Sequence, residues 1–283
     1  MRGSWALLCL AVLQVASCAA TAPAGDGRLP ERRSPAPAPA PAPAPCSGTR
    51  ADEAVVRSQQ EVDALEGLES VGGLSLEGQG IRSLSSLRCL RKIVGSLEIG
   101  CRRSASGEWQ EWAPPEVSEL AGLSRLTTIG GNMTICGSKL QSLQGLESLR
   151  SVAGRIIISG NAELASLDGL QALESASWFE IGRHRRLRNL RGLDSLHTVE
   201  ERFLVGSNPG LDSLEGAPLL REVHGFGIRN NRNLQSTGRF KALEHIEGYL
   251  EIYGNHELAD LDGFSALRRV DNNVVIHNTK LQD

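Results

Sequence analysis

The chain has 283 residues and a formal net charge of −3, and its Lys and Arg residues are dispersed along the sequence. Aromatic residues make up only 4% of the chain. Nucleic-acid binding normally uses a concentrated basic surface, often with aromatic side chains that stack on bases. The composition therefore argues against a nucleic-acid partner.

The first 17 residues have the pattern of a secretory signal peptide. Arg2 gives a short cationic start, and an apolar run from Ala6 to Leu13 leads into small residues that suit a peptidase. A membrane-spanning helix needs roughly 18 to 20 apolar residues, and this run is far shorter. We therefore expect an exported protein without a spanning helix.

The end of this segment, Val15-Ala16-Ser17-Cys18, resembles the lipobox of bacterial lipoproteins. In that motif the Cys thiol is acylated and the Cys becomes the first residue of the mature protein, which predicts lipidation of Cys18 and a membrane anchor. Ala19 stands where an inner-membrane retention signal would have Asp, so the expected location is the outer membrane of the cell envelope. The alternative is ordinary cleavage between Ala16 and Ala20, which would give a secreted protein.

Residues 18–45 are predicted to form a lipidated Cys followed by a Pro/Ala-rich linker. Pro and Ala alternate from Ser34 to Pro45, a composition with no apolar face to bury and a preference for the polyproline II conformation. At about 3.1 Å per residue, this stretch would reach roughly 35 Å. We expect it to hold the folded part away from the membrane surface.

A repeat of 23 or 24 residues occupies most of the remaining chain. Each unit reads approximately L-x-G-L-x-x-L-x-x-I/V-x-G-x-φ-x-φ-x-G-N-x-x-L, where φ is apolar. Apolar residues recur first every three positions, as in a tight turn or short helix, and then every two, as in a strand. The units begin at Leu120, Leu143, Leu167, Leu190, Leu214 and Leu261, and Gly238 takes the start between the last two.

The φ-x-φ segments predict eight strands in parallel register, and a weaker unit at residues 65–76 adds one more rung. One unit buries too little apolar surface to fold alone, so the units must stack. The sequence predicts an all-β solenoid of about nine rungs over residues 46–283. The strand pairs are Leu97/Ile99, Met133/Ile135, Ile156/Ile158, Phe179/Ile181, Phe203/Val205, Phe226/Ile228, Leu250/Ile252 and Val274/Ile276.

A column of polar residues follows the strands at one fixed phase of the repeat. An inward Asn amide both donates and accepts, so a stack of such amides can satisfy backbone groups at a sharp buried corner. We predict a structural asparagine ladder, in which His184 fills one rung with its ring nitrogens rather than acting in catalysis. The predicted Asn rungs are Asn161, Asn208, Asn231, Asn255 and Asn278.

The rhythm breaks once, between Leu84 and Leu120, where residues 102–117 form an insertion. This insertion carries Trp109 and Trp112. Their large apolar side chains are expected either to pack back on the solenoid or to contact a partner, and the sequence leaves both alternatives open.

Four cysteines remain after the predicted leader and lipid site. In an exported domain, four cysteines predict two disulfides. Cys101 follows one predicted strand and Cys136 follows the next, so these two lie one rung apart and can bridge; Cys46 would then pair with Cys89. Other pairings stay open, and the absence of a C-x-x-C spacing argues against a zinc site.

These features together resemble the receptor L domain, the ligand-binding solenoid of the insulin and epidermal growth factor receptor ectodomains. The resemblance covers residues 46–283. It is carried by Cys46-Ser47-Gly48, by the Leu-rich segment from Leu87 to Ile99, and by the Gly-Asn turns at Gly160-Asn161 and Gly254-Asn255. It implies a right-handed β-helix related to leucine-rich repeats and a ligand-binding surface on the exposed sheet. The chain lacks a cysteine-rich module and a kinase like those of the receptors, so signalling is not implied.

Residues next to the inward strand positions are expected to point outward and to form a candidate binding face. Arg and aromatic residues are concentrated there, a composition typical of interaction hot spots. The alternative is that these side chains only pack across neighbouring strands. The candidate residues are Arg155, Ile157, Trp178, Arg202, Leu204, Tyr249, Tyr253 and His277, and the same ribbon includes Glu180, Arg229, Glu251 and Val275.

The predicted function is a non-catalytic recognition module at the cell surface, with an unknown protein or glycan ligand and no cofactor, metal or catalytic residue. A structural spacer or adhesion protein of the envelope is the alternative. A remote alternative is a β-helix polysaccharide lyase or hydrolase. Its candidate carboxylates Glu180 and Glu251 would lie about 14 Å apart, beyond the roughly 5 to 9.5 Å of a glycosidase pair.

Overall fold

The computed structural model describes residues 45–103, 109–111 and 114–281. These residues form a right-handed β-solenoid with very little helix, which confirms the fold predicted from the repeat. The strands are β1 (Gly48–Val56), β2 (Leu68–Leu76), β3 (Lys92–Ile93), β4 (Leu97–Ile99), β5 (Cys101–Arg103), β6 (Trp109–Glu111), β7 (Thr128–Ile129), β8 (Met133–Cys136), β9 (Ser151–Ser159), β10 (Ser175–Gly182), β11 (Thr198–Gly206), β12 (Glu222–Arg229), β13 (His245–Ile246), β14 (Leu250–Asn255), β15 (Arg269–Val270) and β16 (Val274–Thr279).

Strands that are successive in the repeat lie side by side and parallel in one sheet. From β8 onward the order is β8, β9, β10, β11, β12, β14 and β16, with the φ-x-φ positions in register. Ile181, for example, lies between Ile158 and Val205. Each turn of the solenoid therefore adds one strand, and the φ-x-φ pairs form continuous inward columns.

The first strand of the solenoid was not predicted from the sequence. β1 pairs in parallel with β2, and only its last residues, including Ala54 and Val56, are buried. The α-helix α1 (Gln59–Asp63) follows, and Ser58 and Glu61 form a capping box at its start. Val62 of this helix is fully buried, so α1 packs on the first rung.

The variation between 23 and 24 residues per turn is absorbed at one corner. Val152 and Arg155 of β9, which are three positions apart, align with Ala176 and Trp178 of β10, which are two positions apart. The register of the two strands therefore shifts by one residue within this segment. The same shift recurs in the opposite sense between β10 and β11. Because the shift lies before the φ-x-φ segment, the strands stay aligned despite the unequal turn lengths.

The interior of the solenoid is filled by Leu, Ile and Val columns and by all five Phe residues of the chain. Phe179 and Phe203 stack with ring centroids 5.4 Å apart and planes 11° apart. Phe226 continues the stack at 5.1 Å from Phe203 and also contacts Phe240 and Phe264. Such offset and edge-to-face pairs add stabilisation beyond the buried area alone.

The Gly of the L-x-G motif is required by the spacing between turns. Gly169 has φ +118°, and a Cβ there would lie 1.9 Å from the backbone oxygen of Leu143 one turn earlier. The equivalent glycines, Gly145, Gly192 and Gly216, have the same close approach and positive φ. Only Gly allows neighbouring turns to come this close at that corner.

The predicted ladder forms a buried column along the solenoid. Asn231 accepts a hydrogen bond from the backbone N–H of Asn208 at 2.9 Å, and its amide donates to the carbonyl of Val205 at 3.1 Å. Asn161, Asn208 and Asn255 make equivalent contacts with the turn before them. The column begins at Ser138, which the sequence reading missed, while the side chain of Asn278 lies outside the described residues.

His184 occupies the ladder position between Asn161 and Asn208. It is fully buried, and its ring nitrogens lie 3.1 Å from the backbone oxygens of Asn161 and Ile158. A neutral imidazole has one N–H, so it can donate to only one of these two acceptors. Burial lowers the pKa of His184 below its ordinary value of 6.5, against the opposing effect of the two carbonyl contacts.

Two disulfides hold the first part of the solenoid. Cys46 is joined to Cys89, and Cys101 at the start of β5 is joined to Cys136 at the end of β8. The strand register favoured the pair Cys101–Cys136, and Cys46–Cys89 was the pair that then remained. β5 and β6 form an antiparallel hairpin at the base of the insertion, and its later part returns to the solenoid with Val117 buried.

The insertion contains the two tryptophans whose role the sequence left open. Trp109 begins β6, but its side chain lies outside the described part of the chain, as does the whole of Trp112. Pro115 is buried, so at least this section of the insertion packs on the solenoid. Across the described ranges, none of the helices is long and apolar enough to cross a bilayer.

We predict that Asn231→Ala lowers the free energy of unfolding by about 3 kcal/mol, because it removes an acceptor for one buried N–H and a donor for one buried carbonyl. Asn233→Ala is the matched control. Asn233 is exposed and makes one hydrogen bond to Pro209, so a loss within about 1 kcal/mol is expected. Denaturant unfolding of both variants measures the difference, and equal losses would contradict a structural role for the ladder.

We predict that His184→Asn stabilises the fold at pH 7 by about 1 kcal/mol, because an amide supplies both the donor and the acceptor used by the other rungs. The unfolded chain takes up a proton at this His before the folded chain does, since the folded-state pKa is lowered. Stability of the parent chain should therefore fall as the pH drops below about 6.5, and the variant should lose less. Thermal unfolding between pH 7.5 and pH 5 checks this, and parallel pH profiles of the two proteins would refute it.

Candidate binding face

The outward face of the sheet carries the residues predicted to bind a ligand. Strands β9 to β16 present their side chains in parallel rows, because equivalent positions are in register. We call this surface the binding face. It comprises Arg155, Trp178, Glu180, Arg202, Leu204, Arg229, Tyr249, Glu251, Tyr253, Val275 and His277.

One row of the binding face alternates guanidinium groups and aromatic rings. The guanidinium carbon of Arg155 lies 4.9 Å from the ring centroid of Trp178. Arg202 contacts the same indole at 5.4 Å and Tyr249 at 5.2 Å. These distances are within the range of cation–π attraction, so four side chains from four rungs form one continuous row.

Two glycines in β12 make room for side chains of the binding face. A Cβ at Gly225 would lie 2.5 Å from the ring of Tyr249, and a Cβ at Gly227 would lie 2.8 Å from a methyl group of Leu204. The ring and the methyl group therefore lie directly on the backbone of β12. The sequence reading did not include these glycines, although His224-Gly225-Phe226-Gly227-Ile228 is the one rung with Gly at both of these outward positions.

Glu251 joins two arginines at the centre of the binding face. Its Oε2 accepts a hydrogen bond from Arg202 at 3.1 Å and another from Arg229. All three side chains are partly buried, with 17% to 27% of each exposed. Burial, followed by the nearby charge of Arg202, lowers the pKa of Arg229 from its ordinary value.

A second row runs along the edge of the face nearest the turn. Arg229 lies over the ring of Tyr253 at 5.3 Å, and Tyr253 stacks on His277 with centroids 5.2 Å apart and planes 12° apart. β16 is the last described strand, and Val275 is 38% exposed. Tyr253 is half-buried in this row, and His277 at its end is exposed.

The binding face keeps several polar atoms without partners in the described structure. The indole Nε1 of Trp178 and the Nε atoms of Arg202 and Arg229 are buried and make no hydrogen bond there. Leaving a buried donor unpaired costs about 1 to 3 kcal/mol. Natural proteins retain such departures from optimal packing mainly at functional sites.

The inclusion of Ile157 in the binding face was wrong. Ile157 lies on the outward side of β9 in register with Thr134 and Glu180, but it is only 3% exposed. Thr134 beside it is also 3% exposed. Neighbouring side chains on one face lie close enough to cover a central one, and Arg155 and Trp178 extend along the same strands. Ile157 therefore belongs to the packed base of the face.

The carboxylates of the face do not converge. Glu180 and Glu251 occupy the same row but are separated by Leu204 and Gly227, three strands apart. Glu251 is also paired with two arginines. Among the described residues, no three His, Cys, Asp or Glu side chains are close enough to hold a metal ion. The predicted lipid site, Cys18, lies outside the described residues.

No model of a known protein family matches this chain, and neither a curated protein nor a solved structure is significantly similar to it.

Proposed function

We propose that this protein is a non-catalytic recognition module that binds a protein or glycan ligand at the cell surface through the binding face. The observation that carries the proposal is the continuous row of Arg155, Trp178, Arg202 and Tyr249. Arg, Trp and Tyr are the residues most enriched in interaction hot spots, since they offer large contact areas with few rotatable bonds.

Further support comes from the rigidity of the surface. Arg155, Trp178 and Arg202 stand on strands that are hydrogen-bonded on both sides. Tyr249 and Leu204 lie directly on the backbone of β12, where Gly225 and Gly227 leave room for them. Glu251 fixes Arg202 and Arg229 by hydrogen bonds. A surface fixed before binding loses little conformational entropy when a ligand docks.

We propose the receptor L domain as the family that this architecture resembles most. The proposal is supported by the parallel solenoid, the repeat of 23 or 24 residues and the disulfide that ties Cys46 to the early turns. In that family the exposed sheet is a binding surface, which agrees with the use of the binding face proposed here. No catalytic step is assigned to any residue of the face.

The proposed binding is tested with the full chain carrying Cys18→Ser, on arrays of defined polysaccharides and by selection from a random peptide library. Trp178→Ala, Tyr249→Ala and Tyr253→Ala are combined in one variant. Val94→Ala and Leu219→Ala, which remove apolar side chains that are 56% and 52% exposed elsewhere, form the control. We expect at least a tenfold loss of affinity in the first variant and less than a twofold loss in the control, because hot-spot truncations each cost about 1 kcal/mol or more.

Equal losses in the two variants would contradict a role for the binding face. If no probe binds the parent chain, the envelope spacer is the better account of this protein.

We further propose that the mature protein is anchored in the cell envelope, in the outer membrane, by an acylated Cys18. The support is the Val15-Ala16-Ser17-Cys18 motif and the Pro/Ala stretch that follows it. Expressed with its own leader in a bacterium, the chain should show a diacyl or triacyl addition by intact-mass spectrometry, and Cys18→Ser should abolish it. An unmodified product cut near Ala20 would instead indicate a freely secreted protein.

A further inference from the structure

Five arginines fall within nine residues of the turn after β10, and only some of them have acidic partners. Arg186 pairs with Glu163 at 2.6 Å, and Arg191 pairs with Glu215 at 3.1 Å. Arg188 lies 3.9 Å from Asp212. In each case the carboxylate belongs to a neighbouring turn, so these arginines are neutralised within the solenoid.

Arg183 and Arg185 differ from these three arginines. Both are exposed, and within the described residues the side chain of neither makes a hydrogen bond, an ion pair or a ring contact. Arg232, two turns further along the solenoid, is exposed and unpaired in the same sense. Within the turn after β10, the unpaired positive charge therefore lies at the start of the turn, at Arg183 and Arg185, while the later arginines are paired.

The ladder sets the positions of Arg185 and Arg232. Arg185, Pro209 and Arg232 each follow a ladder residue by one position, and His184, Asn208 and Asn231 are hydrogen-bonded in sequence. The three residues thus form one column. Neighbouring turns are about 4.8 Å apart, so the backbones of Arg185 and Arg232 are separated by about 10 Å, with the short ring of Pro209 between them.

This spacing creates a shallow depression between the two guanidinium groups. Its lining consists of Arg185, Ser207, Pro209, Asn230 and Arg232, and it contains no carboxylate. Ser207 and Asn230 adopt left-handed backbone conformations, with φ of 59° and 56°. The lining of the depression thus contains one hydroxyl group, one amide group and two cations.

We propose that this depression is an oxyanion-binding site for sulfate or phosphate groups, with Arg185 and Arg232 as the charged ligands. The planar guanidinium group presents paired N–H donors that match the oxygens of such groups, and Ser and Asn side chains add neutral donors. The net charge of the chain is −3, so a polyanion would be attracted by this local arrangement rather than by the protein as a whole.

This site lies on the turn beside the binding face and does not depend on what the face binds. It requires only that an anionic group reach the corner. Sulfate esters of a polysaccharide and free inorganic anions share the chemistry that the site recognises, and the experiment separates these two sources.

The test measures binding of the full chain carrying Cys18→Ser to immobilised dextran sulfate, with neutral dextran as the reference surface. The test variant combines Arg185→Gln and Arg232→Gln. The matched control combines Arg186→Gln and Arg191→Gln, which removes the same two charges from ion-paired positions. We expect at least a tenfold weaker affinity for the test variant and less than a twofold change for the control, with unchanged thermal unfolding of both.

Inorganic phosphate and inorganic sulfate are then added as competitors at constant ionic strength. Competition at millimolar concentrations would identify a site for free anions, and its absence would identify a site for sulfate groups on a polymer; both outcomes support the site when the two variants differ. Equal weakening of the two variants, or no binding of the parent chain to dextran sulfate, would overturn the proposal.

Discussion

The structure depends on satisfying the backbone polar groups at the corner that follows each strand. This corner is buried, and an unpaired N–H or carbonyl there would cost about 1 to 3 kcal/mol. The ladder solves the problem with one side chain per turn, since Asn231 pairs with backbone groups of the preceding turn and Asn255 does the same for Asn231. No turn is complete without the next one, so stability must build up along the axis.

On each strand, the core residues and the residues of the binding face lie on opposite sides of the sheet. The inward side of β10, β11 and β12 carries Phe179, Phe203 and Phe226 in one stack. The outward side carries Trp178, Arg202 and Arg229 on the same strands. Because side chains alternate along a strand, the outward residues can change without altering the core, provided that the register is kept.

Charge is distributed unevenly over these turns. Most Arg side chains of the turns are neutralised by a carboxylate about one repeat away, as in Arg150 with Glu174 and Arg191 with Glu215. Exposed pairs of this kind contribute at most about 1 kcal/mol, so their main effect is on the surface potential. The corner at Arg185 and Arg232 departs from this pattern. The binding face and the proposed anion site thus lie next to each other, but they rely on different chemistry.

The sequence by itself determined the parallel solenoid, the inward strand positions and the phase of the ladder, because each of these follows from the repeat of 23 or 24 residues and from the apolar spacing within one unit. It also favoured the two disulfides, since the repeat places Cys101 and Cys136 one rung apart and leaves Cys46 and Cys89 as the remaining pair. The tertiary structure alone decided the remaining features, among them β1, which lacks the apolar alternation of the repeat, and the burial of Ile157. The placement of Glu251 between Arg202 and Arg229, and of Tyr249 on Gly225, joins residues 22 to 49 positions apart. Periodicity shows which way a side chain points. Contacts between turns depend instead on the way in which extended side chains from several rungs pack together on one surface.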